Sequence, residues 1–128
     1  AYIDARITKT ASNSEKDFDM QRPSTPRHSG NIWTKYIISE GPLKHLGFGA
    51  GYNFVTERYG QVGRRANTTV YPGYGLVNAV LYYKINQIQL QANLNNILNK
   101  THWVGGYDKL RSFPGAPRNV NISISYKF

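Results

Sequence analysis

Along residues 118–128 apolar and polar side chains alternate without a break. Val120, Ile122, Ile124, Tyr126 and Phe128 fall on one side, and Asn119, Asn121, Ser123, Ser125 and Lys127 on the other. An extended backbone sends successive side chains to opposite faces, so this period of two predicts a strand with one apolar and one polar face. Five more segments share the period. Ile3, Ala5 and Ile7 interleave with Asp4, Arg6 and Thr8, and Ile32, Thr34, Tyr36 and Ile38 with Trp33, Lys35 and Ile37. Leu46, Phe48, Ala50, Tyr52 and Phe54 interleave with Gly47, Gly49, Gly51 and Asn53. Val77, Ala79, Leu81 and Tyr83 interleave with Asn78, Val80, Tyr82 and Lys84, and Ile88, Leu90, Ala92 and Leu94 with Gln87, Gln89, Gln91, Asn93 and Asn95. Six such strands with no helical period predict an all-β chain.

The expected connections are unequal. Tight turns at residues 40–44 and 84–87 contrast with long polar connections at 9–30, 58–74 and 99–117, which are rich in Gly, Pro and Arg. Short turns on one rim and long loops on the other is the asymmetry of transmembrane β-barrels, whose long loops are extracellular. Strand parity agrees: with Phe128 at the inner rim, all three long connections fall outside. Strands of this length, tilted, cross the apolar layer of a bilayer. Asn, Gln, Lys and Gly fill the polar face, as a wetted lumen requires. A small soluble barrel binding an apolar ligand in its interior satisfies the same alternation with the faces inverted. A small complete membrane barrel needs about eight strands, more than are found.

Composition narrows the function classes. The chain has 128 residues, 40% of them hydrophobic, and a mean hydropathy of −0.52. No run approaches the roughly 20 apolar residues of a membrane-spanning helix, a measure that barrel strands escape. Ten Tyr, five Phe and two Trp suit strands and the aromatic girdles of membrane interfaces. Without cysteine there is neither a disulfide framework nor a thiolate metal site. The net charge of +9 fits nucleic acid, anionic lipid or an acidic ligand, and position must decide. Arg22, Arg27, Arg58, Arg64, Arg65, Lys100, Lys109 and Arg111 concentrate in the long connections, where they would meet an anionic ligand or lipopolysaccharide phosphates, or simply face solvent. Nucleic-acid binding would place basic and aromatic residues on one exposed sheet face, whereas these faces carry Asn and Gln.

Candidate chemistry is sparse. No nucleophile elbow or carboxylate pair appears, so the chain reads as a non-enzyme. His28, His45 and His102 lack metal-ligand spacing. Glu15, Asp17 and Asp19 could hold a hard cation or form a solvated acidic loop. Gly47, Gly49 and Gly51 lie within a strand with no following helix, so they read as space for packing rather than a phosphate loop. Trp103, Tyr107 and Phe113, with Arg111, are the ligand-binding candidates. Their rings can enclose a compact ligand while Arg111 answers its negative charge. Tyr59 and Tyr71 are weaker candidates of the same kind. An interface girdle is the alternative for all these aromatics.

Several blocks in order carry a resemblance. Leu94-Asn95-Asn96-Ile97-Leu98-Asn99-Lys100-Thr101, then Gly105-Gly106, then Gly115-Ala116-Pro117-Arg118 and the strand to Phe128 resemble the C-terminus of TonB-dependent outer-membrane receptors, nearest to the ferric-siderophore (ferrichrome-type) group. Pro26 to Tyr36, Gly49 to Gly60, and Pro72-Gly73-Tyr74 fit the same pattern. The resemblance implies that residues 1–128 form about six C-terminal strands of a barrel of about 22 strands. The occluding plug and the TonB-contacting segment would then lie outside this sequence. It further implies an outer-membrane receptor of a Gram-negative bacterium that binds ferric siderophore and imports it with TonB-coupled energy. Iron would enter only as the chelate, with no resident cofactor or protein metal site. The implied partners are the siderophore, outer-membrane lipid and lipopolysaccharide, TonB, and the barrel assembly machinery. Tyr126 and Phe128 would form the C-terminal assembly signal, and Gln89, Gln91, Asn93, Asn121 and Ser123 would line the lumen against the plug.

Overall fold

The computed structural model describes residues 1–9, 19–60, 69–107 and 110–128. Among them are nine strands and no helix: β1 (Ser29–Ile37), β2 (Leu46–Val55), β3 (Arg58–Tyr59), β4 (Val70–Tyr71), β5 (Tyr74–Ile85), β6 (Ile88–Asn95), β7 (Trp103–Gly106), β8 (Ser112–Pro114) and β9 (Asn119–Tyr126). They belong to two compact units.

The first unit comprises residues 31–53, 75–100 and 116–128 and is built on a five-stranded sheet of order β1-β2-β5-β6-β9. The two-residue turn Asn86-Gln87 joins β5 to β6, with Asn86 at φ 51°, the left-handed geometry that tight hairpins favour. Antiparallel pairing from Ala79↔Leu94 to Ile85↔Ile88, and from Asn95↔Asn119 to Ile88↔Tyr126, aligns the two periodicities. One face therefore carries Leu81, Tyr83, Leu90, Ala92, Leu94, Val120, Ile122 and Ile124. The other carries Tyr82, Lys84, Gln89, Gln91, Asn93, Asn121, Ser123 and Ser125. The glycine run of β2 joins this polar face because aromatics need its space. A Cβ on Gly47 would strike the Tyr82 ring, and one on Gly51 the Trp33 ring.

The sheet encloses no apolar core. Val80 and Tyr71 are the only buried hydrophobic side chains among the described residues, while Ile122 is 75% and Ile124 71% exposed. The apolar face therefore does not line a closed interior, as the soluble-barrel alternative requires. In water such a face would be an aggregation liability, and against lipid it is the expected solvent contact.

The second unit comprises residues 1–30, 54–74 and 101–115. Its opening segment departs from the expected strand at Ile3–Thr8. Residues 1–7 run antiparallel to 19–28, with Ile3 N donating to Arg27 O (2.9 Å), Arg22 N to Ala5 O (2.8 Å) and Ile7 N to Met20 O (3.0 Å). The ladder is broken into two isolated bridges, Tyr2↔His28 and Arg6↔Gln21. Pro23 and Pro26, which have no N–H to donate, interrupt the partner segment. Consequently β1 occupies the sheet edge. Arg6 bonds Asp4 and Asp19, each at 3.0 Å, and these hydrogen bonds, Asp4 first, hold its guanidinium still further from deprotonation. The Asp19 carboxylate, read from the sequence as part of a solvated acidic loop or as a ligand for a hard cation, is thus engaged by Arg6. Glu15 and Asp17 lie outside the described residues.

Candidate functional site

The long connections at 58–74 and 99–117 contain two short hairpins within the second unit. β3 pairs with β4 through Arg58↔Tyr71 and Tyr59↔Val70. β7 pairs with β8 through Trp103↔Pro114, Gly105↔Phe113 and Gly106↔Ser112, with a bulge between Trp103 and Gly105. Strands of two to four residues cannot hold themselves in place, so what clasps them matters.

Arg58 is the main clasp. Its side chain is 6% exposed, donating from Nη1 to Val104 O (2.7 Å) and from Nη2 to Trp103 O. Its guanidinium lies 5.3 Å from the centre of the Tyr74 ring, and its buried Nε has no hydrogen-bond partner. This corrects the expectation that Arg58 is a loop cation open to ligand or solvent. Its planar fork is occupied by two consecutive carbonyls of β7. A second tie joins Tyr71 Oη to Ser112 Oγ at 3.0 Å. Glycines allow the close approach: a Cβ on Gly60 would sit 2.7 Å from Tyr107 O, and one on Gly106 would meet the Tyr71 hydroxyl. His102 is buried against Tyr74, ring centres 4.5 Å apart, in space left by the missing side chain of Gly115.

On this frame the candidate aromatics remain accessible. Trp103 is 37%, Tyr107 60% and Phe113 52% exposed, and the Tyr107 and Phe113 rings meet edge to face at 6.4 Å. Arg111 is exposed, and its carbonyl accepts from Tyr107 N at 3.0 Å. These four therefore share one hairpin. Tyr59 lies on the neighbouring β3, half-buried, its carbonyl accepting from Ser24 N at 2.7 Å. Tyr71, by contrast, is buried and tied to Ser112, which removes it from the accessible set. Arg64, Arg65 and Lys109 lie outside the described residues. The hairpin thus carries three accessible rings and one exposed arginine, residue types that suit a compact anionic or aromatic ligand.

In the sheet unit, a second feature fixes where the chain leaves and rejoins the strands. Asn96 is 3% exposed at φ 50°. Its Nδ2 donates to Lys100 O (3.0 Å) and Ala116 O (3.1 Å), while its Oδ1 accepts from Lys100 N (2.9 Å). Asn99 Oδ1 accepts from Arg118 N at 2.9 Å. The roots of the 101–115 excursion are thereby tied together. The Asn-rich run 95–99 signals a turn, but the reach to Ala116 and Arg118 is not readable from spacing. At the other end of β9, Tyr126 donates to Gln87 Oε1 (2.9 Å) and lies 5.1 Å from the exposed Phe128 ring.

Comparison with known proteins adds an independent line. A family model described as TonB dependent receptor-like, beta-barrel matches residues 1–97. The chain is 30% identical over 133 residues to the metal-pseudopaline receptor CntO of Pseudomonas aeruginosa, a match covering 100% of the chain and 18% of that protein. It is 29% identical over 132 residues to the ferrioxamine B receptor of Salmonella typhimurium, covering 99% of the chain and 18% of that protein. The crystal structure of the siderophore receptor PiuA from Acinetobacter baumannii superposes with a TM-score of 0.78 at 28% identity, over 99% of the chain and 18% of the receptor. The chain thus spans about 18% of the length of these relatives.

Proposed function

This chain belongs to the TonB dependent receptor-like β-barrel family, and we propose that it forms part of the wall and outer vestibule of an outer-membrane receptor that binds ferric siderophore and imports it with TonB-coupled energy. The observation that carries this reading is the sheet. Its apolar face is continuous and exposed, its opposite face is polar, and a two-residue turn joins β5 to β6. A wall between lipid and an aqueous or protein-filled lumen requires that division. The relatives named as receptors for metal-pseudopaline and for ferrioxamine B support a metal chelate as the substrate class.

Trp103, Tyr107 and Phe113 contact the chelate in this account, Arg111 attracts its negative charge, and Tyr59 borders the patch. Gln89, Gln91, Asn93, Asn121 and Ser123 face an occluding domain. Tyr126 and Phe128 engage the assembly machinery, and the basic outer connections meet lipopolysaccharide. The work is binding and gating, with no bond made or broken.

The test is uptake of radiolabelled ferric siderophores by an iron-starved strain lacking its own receptors and supplied with the full-length protein. Transport should require TonB and should fall at least tenfold in Trp103→Ala/Tyr107→Ala at unchanged surface abundance. Uptake indifferent to TonB would contradict the reading.

A further inference from the structure

We propose that Arg58 is a positioning residue for ligand capture: by gripping the bulge of β7 it holds the ring-bearing hairpin in the arrangement that a metal chelate selects, without touching the chelate itself. The inference rests on the ferric-siderophore reading and adds to it a residue and an order of events. In an unbroken strand consecutive carbonyls point to opposite edges. β7 is bulged between Trp103 and Gly105, and there the carbonyls of Trp103 and Val104 both meet one guanidinium. A bulge re-aims the side chains beside it, and Trp103 stands at this one. The grip is also two-sided. Arg58 and Tyr71 are direct partners across β3 and β4, so their side chains leave the same face of that pair. Arg58 takes β7, and the Tyr71 hydroxyl meets Ser112 Oγ of β8 at 3.0 Å. One cross-strand pair thereby fixes both strands, the one that carries Trp103 and the one that carries Phe113.

Stability alone does not account for an arginine at this point. The guanidinium is buried, forms no ion pair among the described residues, and leaves its Nε unsatisfied. Burying a charge without a counter-charge is costly, and an apolar side chain of similar volume often stabilises as well or better. What the guanidinium has and an apolar chain lacks is a rigid planar fork that fixes two points at once. Such a fork supplies orientation, and orientation matters where several rings must meet one ligand together. β7 and β8, of four and three residues, are too short to keep it unaided. Released from Arg58, the hairpin samples open forms and only its closed fraction binds, which lowers the apparent affinity by that fraction.

Hydrogen exchange and stopped-flow binding on the full-length protein in detergent micelles test this, with ferrioxamine B and ferric enterobactin as probes. Arg58→Gln should expose the amides of residues 103–106. Saturating chelate should return their protection, because a ligand that selects the closed hairpin favours closure. The association rate of Arg58→Gln should fall roughly tenfold while dissociation stays near wild type, since fewer molecules are competent but the bound state is unchanged. Trp103→Ala, which removes a contact, should instead speed dissociation. Arg58→Lys keeps the charge and loses the fork, so it should repeat the Gln pattern at about threefold, and it reads the same effect should the Gln variant not assemble. Lys44→Gln, an exposed side chain of the sheet unit, should leave both rates unchanged. An Arg58 variant that opens the hairpin yet binds at wild-type rates would overturn the proposal. So would unchanged exchange at 103–106, a loss confined to dissociation, or Arg58→Lys behaving as wild type. A wild-type receptor that binds neither chelate would instead overturn the siderophore reading, so the two failures are distinguishable.

Discussion

Asn96 offers a perturbation whose cost can be worked bond by bond. Asn96→Ala removes two donations from Nδ2 and the acceptance from Lys100 N. At about 1 kcal/mol per neutral hydrogen bond, the three amount to roughly 3 kcal/mol, and orphaning buried carbonyls pushes the cost upward. The backbone adds to this. Asn96 sits at φ 50°, where Asn is tolerated and Ala is disfavoured by about 1 kcal/mol. The expected loss for Asn96→Ala is therefore about 4 kcal/mol. Asn96→Gly relieves the backbone strain but not the lost bonds, so it should cost about 3 kcal/mol. Asn96→Asp keeps the acceptor for Lys100 N while aiming a carboxylate at two carbonyls, and it should fall at least as far as Gly. Urea unfolding in micelles measures the totals, and hydrogen exchange at the Lys100 amide localises them. An Ala variant within about 1 kcal/mol of wild type, with Lys100 exchange unchanged, would refute the bond count.

Arg58→Leu should release β7, because two charge-assisted bonds of about 1.5–3 kcal/mol each hold its carbonyls. Amides of residues 103–106 should lose exchange protection by at least 10²-fold, and intact protection would show that the clasp lies elsewhere. Arg111→Ala should weaken siderophore binding more at low salt than at high salt, since an exposed charge acts through a screened field. Equal losses at both would remove the electrostatic role. Replacing Phe128 by Ser should lower the amount of assembled receptor at the cell surface, read by heat-modifiable gel mobility, and an unchanged amount would count against an assembly role.

The sheet strands were legible because each has one apolar and one polar face, and a period of two survives in a sequence whatever the strands pair with. β9 was expected from Arg118 and begins at Asn119, and β6 follows its expected alternation from Ile88. Ile3–Ile7 shows why periodicity alone is insufficient: the alternation is present, but prolines in the facing segment prevent a continuous ladder. The second unit was largely hidden. Its strands are too short for any period, and its ties run between residues more than 40 positions apart, such as Arg58 to Val104 and Tyr71 to Ser112. An arginine in a polar connection reads as a surface charge, and nothing local reveals that two distant carbonyls bury it. The aromatic cluster was legible because Trp103, Tyr107 and Phe113 stand within one hairpin.

As part of a barrel wall, the apolar face of this sheet meets lipid and the polar face does not. Single spin labels at positions 119 to 126 of the full-length protein in bilayers test it directly, by collision with oxygen, which enriches in lipid, and with a nickel chelate, which stays in water. Strict alternation is expected: oxygen contact dominates at 120, 122, 124 and 126, and nickel contact or immobilisation at 119, 121, 123 and 125. Uniform water accessibility along β9, or the alternation in opposite phase, would contradict it.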